Sequence, residues 1–372
     1  MKFTINRETL IKPLQMIGGI VERRQTLPIL SNVQVSVQAD KLILVATDLE
    51  VQMTTRTDII DGIEGEITIP ARKFLDICRA LPDEASIVLS ADKNGKATIR
   101  SGKSRFTLST LPAEDFPRIE AQQDAIHFEI PQGTLKYAID HTQFAMAQQD
   151  VRYYLNGLLM EMTDDVLRFV ATDGHRLALC DIAMPESVEP YKNNENQQVI
   201  IPRKGVLELS RLLEEDESPV QVAVGGNFIQ LKTDKLEFVS KLIDGRFPEY
   251  QNVVPVNSDK KVICDREVLR QALARVSILS NEKFRGVRLE FSPGLLHVHA
   301  HNPEQEEAEE EVSIDYDGPS LEMGFNVNYI QDALLACETA QVQLMLSDPN
   351  SCCLIHGVDD QQCRYIIMPM RL

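Results

Sequence analysis

Three groups of residues in this chain carry side chains capable of chemistry. Asp173 and His175 stand two apart in LRFVATDGHRL (167–177). Residues i and i+2 share a strand face, so a carboxylate and an imidazole could exchange a proton there. The same stretch reads as a turn, with Gly174 at positive φ and Asp173 accepting from backbone amides. The turn is favoured because LILVATDLEV (42–51) repeats the word VATD with Leu49 and Glu50 where Gly174 and His175 should be. His297, His299 and His301 place three imidazoles on one strand face at a spacing suited to a metal. Leu296, Val298 and Ala300 alternate with them toward a core, which leaves the imidazoles facing solvent. No fourth ligand is evident nearby, so no metal is assigned. The third group is charge: Lys93, Lys96, Arg100, Lys103 and Arg105 surround one strand, and Glu304, Glu306, Glu307, Glu309, Glu310 and Glu311 crowd another. They are solvated faces or the two halves of an interface.

Motifs of ordinary enzymes are missing: there is no G-x-G-x-x-G, Walker loop, H-E-x-x-H or G-x-S-x-G. No catalytic residue and no cofactor is expected. Hydrophobic residues make up 43% and charged residues 25% of 372, ordinary usage for a folded chain of two or three domains. No apolar run approaches a membrane span, and MKFTINRETL lacks a signal peptide's basic-then-apolar order. A cytoplasmic protein without membrane contact is expected. Its seven cysteines show no C-x-x-C spacing and mostly sit in apolar runs, which reads as reduced, buried thiols. The net charge of −18 argues against nucleic-acid binding through a broad basic surface.

The elements that position these residues repeat. IPARKFLDICRALPDEAS (69–86) matches IPRKGVLELSRLLEEDES (201–218), and SRFTLSTLPAEDFP (104–117) matches LEFVSKLIDGRFP (236–248). A fainter third copy keeps the order: CDREVLRQALARVSILS (264–280) parallels INRETLIKPLQMIGGIV (5–21) and IPQGTLKYAIDHTQFAM (130–146). LLHVHAHNPEQ (295–305) then stands where VATD stood, and FNVNYIQDALLAC (325–337) where the IP-R-K helix stood. The unit is about 124 residues, one third of the chain. Leu10, Pro13, Leu14 and Ile17 recur at helical spacing, so each unit is predicted to open with an amphipathic helix. Val33-Gln34-Val35-Ser36-Val37 and Leu296–Ala300 alternate with period two and read as half-buried strands. The fold class is therefore α+β, three homologous domains with antiparallel sheets and helices on one face. The domains are set at 1–122, 123–254 and 255–372, with 186–198 a surface loop in the second. In a row of three such units, an acidic end and a basic end invite head-to-tail pairing that can close into a ring.

These segments carry a family resemblance over nearly the whole chain. MKFTINRETLIKPLQ, ATDLE, SGKSRF, QDVRYYLNG, VATDGHRLA, KLIDGRFPEY, ILSNEKFRGVRL, NPEQEEAEE and the terminal MPMRL, in this order, resemble the bacterial DNA polymerase sliding clamps, the beta subunits of the replicative polymerase. The resemblance implies a non-catalytic processivity factor: a homodimeric head-to-tail ring, sheets outside and helices lining the inside, around double-stranded DNA. Retention by topology reconciles the acidic chain with DNA. Globules of this size have a diameter on the order of 35 Å, and six in a hexagon leave a hole of that order.

The resemblance also implies roles for residues. Arg24, Gln149, Tyr153, Tyr154, Arg203 and Lys204 are expected near DNA. A hydrophobic pocket is expected to receive a short motif from the polymerase catalytic subunit, the clamp loader and other partners. Its members would be Leu155, Thr172, Gly174, His175, Arg176 and Leu177, then Pro248, Val253, Asn326 and Tyr329, and the terminal Met368, Pro369, Met370, Arg371 and Leu372. The dimer seam would set Phe106 and Leu108 against Ile278 and Leu279, with Lys73, Lys103 and Arg105 opposite Glu304, Glu306, Glu307 and Glu310. Asn252, Asn350, Cys352 and Cys353 depart from the family's pattern beside the pocket, which implies a shifted motif preference.

Overall fold

A computed structural model describes residues 1–21, 27–92, 95–119, 125–185, 197–255 and 258–371. Its helices are α1 (Arg7–Ile17), α2 (Ala71–Ala80), α3 (Gln132–Asp140), α4 (Arg203–Leu212), α5 (Arg266–Val276) and α6 (Val327–Ala336). Each repeat opens with a strand before the predicted helix: Lys2–Asn6, Ile126–Pro131 and Lys260–Asp265. The opening helices follow from their apolar stripe. Leu10, Pro13, Leu14 and Ile17 are buried on α1, as are Leu269, Ala272, Leu273 and Val276 on α5. Asp265 caps α5 by accepting from the Val268 amide at 2.9 Å, and Asn326 caps α6 by accepting from Asn328.

The described chain forms two compact units, residues 1–133 with 207–242, and 134–184 with 197–206 and 243–371. In the first, a five-stranded sheet ends on the edge strand Ser104–Ser109. Its neighbouring eight-stranded sheet joins two repeats, because Leu236–Lys241 pairs antiparallel with Val51–Asp58. In the second unit, Asp360–Ile367 pairs antiparallel with Arg176–Ala183 in another eight-stranded sheet. A four-stranded sheet beside it ends on the edge strand Glu307–Ser313.

Leu295–His301 shows the predicted alternation, with Leu296, Val298 and Ala300 buried. Strand Asn32–Gln38 does not, since Gln34 and Ser36 are buried as well. Residues 116–119 cover its outer face, where Arg118 donates to Gln34 Oε1 at 2.8 Å. Burying these polar groups is tolerable because they are hydrogen-bonded. All seven cysteines are free thiols, and six are buried. Among the described residues no helix is long and apolar enough to cross a membrane.

Candidate functional site

The Asp173 segment is a turn. Its Oδ1 accepts from the amides of His175 at 2.9 Å and Arg176 at 3.0 Å, and Gly174 takes φ +89°. Asp48 makes the same turn in the first copy, with Leu49 at φ +78°. The shared Asp therefore builds backbone, and what differs is the chemistry around it.

After the second turn the chain meets a small apolar cavity of about 160 Å3. Leu155, Thr172, Gly174, Arg176, Leu177, Pro248, Val253 and Met368, all named among the expected pocket residues, line it. Leu155 and Leu177 are buried and form the wall, continuous with a core cluster of Leu159, Val170, Leu179, Phe247 and Ile366. Three lining residues were not anticipated: Arg152, Tyr250 and Ile366. For Ile366 a signal existed, since it alternates with Met368 in YIIMPM.

Tyr250 is held from beneath. Its hydroxyl donates to the buried carboxylate of Glu161 and accepts from Arg168 Nη1 at 3.2 Å. Gln198 donates to the other Glu161 oxygen at 2.7 Å, and Asp181 takes both Arg168 and Arg364. Burial pushes the Tyr250 phenol up to about 12. Hydrogen bonds of the Tyr250 hydroxyl to Glu161 and from Arg168 fix the ring that floors the cavity.

Arg176 clamps the turn to α6. It pairs with Asp332 and with Asp173 Oδ2, donates to the Phe144 carbonyl at 2.7 Å, and lies 4.6 Å over the Tyr329 ring. His175 stacks beside Tyr329 with centroids 6.4 Å apart. Arg152 closes the other side: Asp150 holds it through Nε and Nη2, and Nη2 also reaches the Asp173 carbonyl. The guanidinium holds the Asp150 carboxyl down to about 2.

A terminal strap completes the rim. The Met368 amide donates to the His175 carbonyl at 2.9 Å and the Met370 amide to Gly324 at 2.7 Å. Pro369 sits between them. Asn326, whose Nδ2 lies 3.4 Å from the Phe284 carbonyl, and Tyr329, which lies against Arg176 and His175, are not among the residues lining the cavity. Arg371 belongs to the neighbouring groove, and Leu372 lies outside the described residues.

The first copy carries different chemistry at the equivalent position. Gln52 replaces Leu177, and its amide clips the backbone of Ile119, accepting from its N–H at 2.8 Å and donating to its carbonyl at 3.3 Å.

The described residues expected near DNA lie on the short helical turn Tyr153–Leu155, in the loop before it and at the start of α4, where the Arg203 amide donates to the Asn156 carbonyl at 2.9 Å. Tyr153 is exposed and meets Tyr154 edge-on at 5.7 Å, and Gln149 is exposed at φ +57°. Arg203 opens α4 and donates to the Met146 carbonyl at 3.3 Å, with Lys204 next to it. Arg24 and Lys93 lie outside the described residues.

Of the expected seam residues, Arg105, Phe106 and Leu108 lie on the edge strand Ser104–Ser109, and Glu307 and Glu310 on the edge strand Glu307–Ser313. Ile278 is 75% exposed, Leu279 half-buried, and Lys73, Lys103, Glu304 and Glu306 exposed. Glu310 is engaged by Arg275 at 3.0 Å. The histidine row is not bare to solvent: His297 and His299 Nδ1 face Glu311 at 3.6 Å and Glu309 at 3.2 Å. No metal-binding group of three or more His, Cys, Asp or Glu occurs among the described residues.

Residues 1–120, 129–249 and 251–371 match in turn the N-terminal, central and C-terminal domain families of the DNA polymerase III beta subunit. The chain is 52% identical to the beta sliding clamp of Pseudomonas putida and 48% to that of Escherichia coli strain K12, each over 100% of both chains. The crystal structure of the DNA polymerase III subunit beta from Pseudomonas aeruginosa matches it with a TM-score of 0.95 at 51% identity, again over 100% of both chains. A Pseudomonas aeruginosa clamp bound to griselimycin matches equally well, with a TM-score of 0.95 at 51% identity over both full chains. With three domain matches and full-length relatives, the chain belongs to the bacterial beta sliding clamp family and has its three-domain clamp fold.

Proposed function

We propose that two copies of this chain close head to tail into a ring around duplex DNA and tether the polymerase catalytic subunit, the clamp loader and other partners through the apolar cavity beside Gly174. The observation that carries the ring is a rule of strand pairing. The last strand of the second repeat, Leu236–Lys241, pairs with the third hairpin strand of the first, Val51–Asp58. The last strand of the third repeat, Asp360–Ile367, pairs with the equivalent strand of the second, Arg176–Ala183. Applied once more, the rule leaves Ser104–Ser109 and Glu307–Ser313 as matching free edges. Exposed edges are templates for pairing, and a second copy supplies the complement. Basic Lys103 and Arg105 then meet acidic Glu304, Glu306 and Glu307, which sets register, while Phe106, Leu108, Ile278 and Leu279 supply apolar anchoring. Glu310 lies on the same edge with its charge offset by Arg275, and Lys73 joins the basic side.

DNA is held by enclosure, so an acidic chain of −18 suffices when Arg24, Gln149, Tyr153, Tyr154, Arg203 and Lys204 touch only phosphate and sugar. Partners seat apolar side chains against Leu155, Leu177, Val253 and Met368, where the flexible methionine suits varied motifs. His175, Asn326, Tyr329 and residues 369–372 extend the contact. The role is non-catalytic and cytoplasmic, and the domains run 1–122, 123–254 and 255–372.

The test is retention on nicked circular DNA after loading with the cognate loader and ATP. Protein that survives a high-salt wash on circles and is lost on linearisation is held by topology. Equal loss from circles and linear DNA, with the loader shown to be active, refutes the ring.

A further inference from the structure

Two of the seven thiols meet. Strand Asp360–Ile367 pairs antiparallel with Arg176–Ala183 in a register that sets Cys363 directly opposite Cys180. No other two cysteines face each other in this way, since Cys264 lies opposite Val342 and Cys353 opposite Ile367. The two sulfurs are 2.8 Å apart, with the Cys363 thiol donating to Cys180 Sγ. Both residues are buried, Cys180 at 0% and Cys363 at 5% exposure. The Tyr137 hydroxyl on α3 lies 3.7 Å from Cys363 Sγ, so the pair sits against that helix.

Register supplies the geometry that a disulfide requires. Residues directly opposite in an antiparallel pair have Cα atoms about 4.5–5.5 Å apart, inside the roughly 4.4–6.8 Å that a disulfide spans. Side chains at opposed positions leave the sheet on the same face. Bonded sulfurs stand about 2.05 Å apart, so under an ångström of approach closes the bond. Leu177 and Ile366, three positions along each strand, point to the other face and join the cavity cluster. A bond between Cys180 and Cys363 therefore forms on the side turned away from the cavity.

We propose that Cys180 and Cys363 are an oxidisable dithiol, which hydrogen peroxide converts into a disulfide that staples the last strand of the third repeat to the second. The Cys363 sulfur, the more exposed of the two, attacks one peroxide oxygen; the O–O bond breaks, the departing hydroxide takes the thiol proton as water, and a sulfenic acid remains. The Cys180 sulfur then attacks the sulfenic sulfur. The S–S bond forms, the S–O bond breaks, and the hydroxide leaves with the second thiol proton as water. Two thiols lose two electrons in all, and one peroxide becomes two waters. The hydrogen bond with Cys363 and burial push the Cys180 thiol far above its ordinary range, so the reaction is slow and answers sustained peroxide rather than traces. Once formed, the staple closes a loop of about half the chain and restricts the unfolded state accordingly.

The test treats the full-length protein with graded hydrogen peroxide, alkylates the remaining thiols in denaturant, and maps disulfides by mass spectrometry of unreduced digests. The Cys180–Cys363 bond should be the main product and should disappear with dithiothreitol. Treated protein should melt on the order of 5 °C above the same sample after re-reduction, a comparison that methionine oxidation leaves undisturbed. Cys363→Ala should form no bond and gain nothing from peroxide. Cys337→Ala, which removes a third buried thiol near Cys363, should behave as wild type. Should Cys363→Ala fail to fold, the wild-type map decides alone. Cys180 and Cys363 recovered after peroxide as alkylated thiols, as sulfinic or sulfonic acids, or linked to other cysteines overturn the proposal, as does a disulfide that lowers the melting temperature.

Discussion

Gln52 and Leu177 hold the same register position in consecutive copies of one hairpin, opposite Thr47 and Thr172, and the leucine lines a cavity. Gln52 spends its amide on Ile119, the residue equivalent to Tyr250, and draws residues 116–119 onto the sheet. Leu177→Gln should therefore poison the second site: an amide on the cavity wall costs about 1–3 kcal/mol when a peptide desolvates it. Anisotropy should show motif affinity falling about tenfold or more, with the dimer unchanged by light scattering. Unaltered affinity would remove Leu177 from the contact.

Gly174 and Arg152 make a second coupled pair. A Cβ at Gly174 would sit 3.1 Å from the Arg152 guanidinium, at a φ of +89° that side chains seldom adopt. Leu49 shows that the equivalent turn folds with a side chain in place. Gly174→Ala should therefore cost only about 1 kcal/mol in stability, while displacing Arg152 from the Asp173 carbonyl. The expected readout is a small drop in Tm and a larger loss of peptide affinity; the reverse ranking would make Gly174 purely structural.

The Tyr250 hydroxyl separates stability from binding. Tyr250→Phe keeps the ring that floors the cavity and removes a partner of Glu161, which is 3% exposed. An under-satisfied buried carboxylate costs about 1–3 kcal/mol, so the urea midpoint should fall while motif affinity at 25 °C holds. Loss of both would show that the network positions the ring.

What the sequence made legible was local. The repeated words located three copies, and apolar spacing on α1 and α5 named the buried residues Leu10, Leu14, Leu269 and Leu273. The Asp173 turn was readable because aspartate and glycine have known backbone chemistry. The misses are long-range. Period two failed at Gln34 because Arg118, some eighty residues later, reaches back to its side chain, and at Ser36, which takes a hydrogen bond from Gln38. Tyr250 joined the cavity only because Glu161 and Arg168 reach it across strands, and no local pattern encodes that. The pairing of Leu236–Lys241 with Val51–Asp58 likewise joins strands that nothing in their spacing connects. Family resemblance supplied the cavity walls, and it did not supply Arg152, whose role depends on Asp150 and Gly174 meeting it.

Cys352 should report on the cavity. Six cysteines are buried, and burial pushes Cys78, Cys264 and Cys337 up to about 12, which starves them of thiolate at neutral pH. Cys352 is only partly buried, packs against the Leu177 and Ile366 cluster, and donates its thiol hydrogen to the Val253 carbonyl at 3.4 Å. In native protein a maleimide should modify Cys352 first, slowly because burial raises this thiol as well. Saturating motif peptide should slow it further. Mass spectrometry showing another cysteine labelled first, or no protection by peptide, would place Cys352 away from the bound motif.

Ile278 is 75% exposed in a single chain, a large apolar side chain on the short helical turn Ser277–Leu279 that follows α5. Burying such a side chain is worth about 1.5–3 kcal/mol, and Leu279 beside it, already half-buried, adds a smaller amount. A ring of two copies has two seams, so Ile278→Ala/Leu279→Ala removes four anchors at once and should shift the protein to monomers. The charges at the edge, Lys103 and Arg105 against Glu304 and Glu306, are solvent-exposed and screened, so high salt alone should slow association more than it dissociates the dimer. Light scattering of wild type and variant across salt concentrations distinguishes the two contributions. A variant that stays dimeric, or a wild type that salt alone dissociates, would move the anchor away from Ile278.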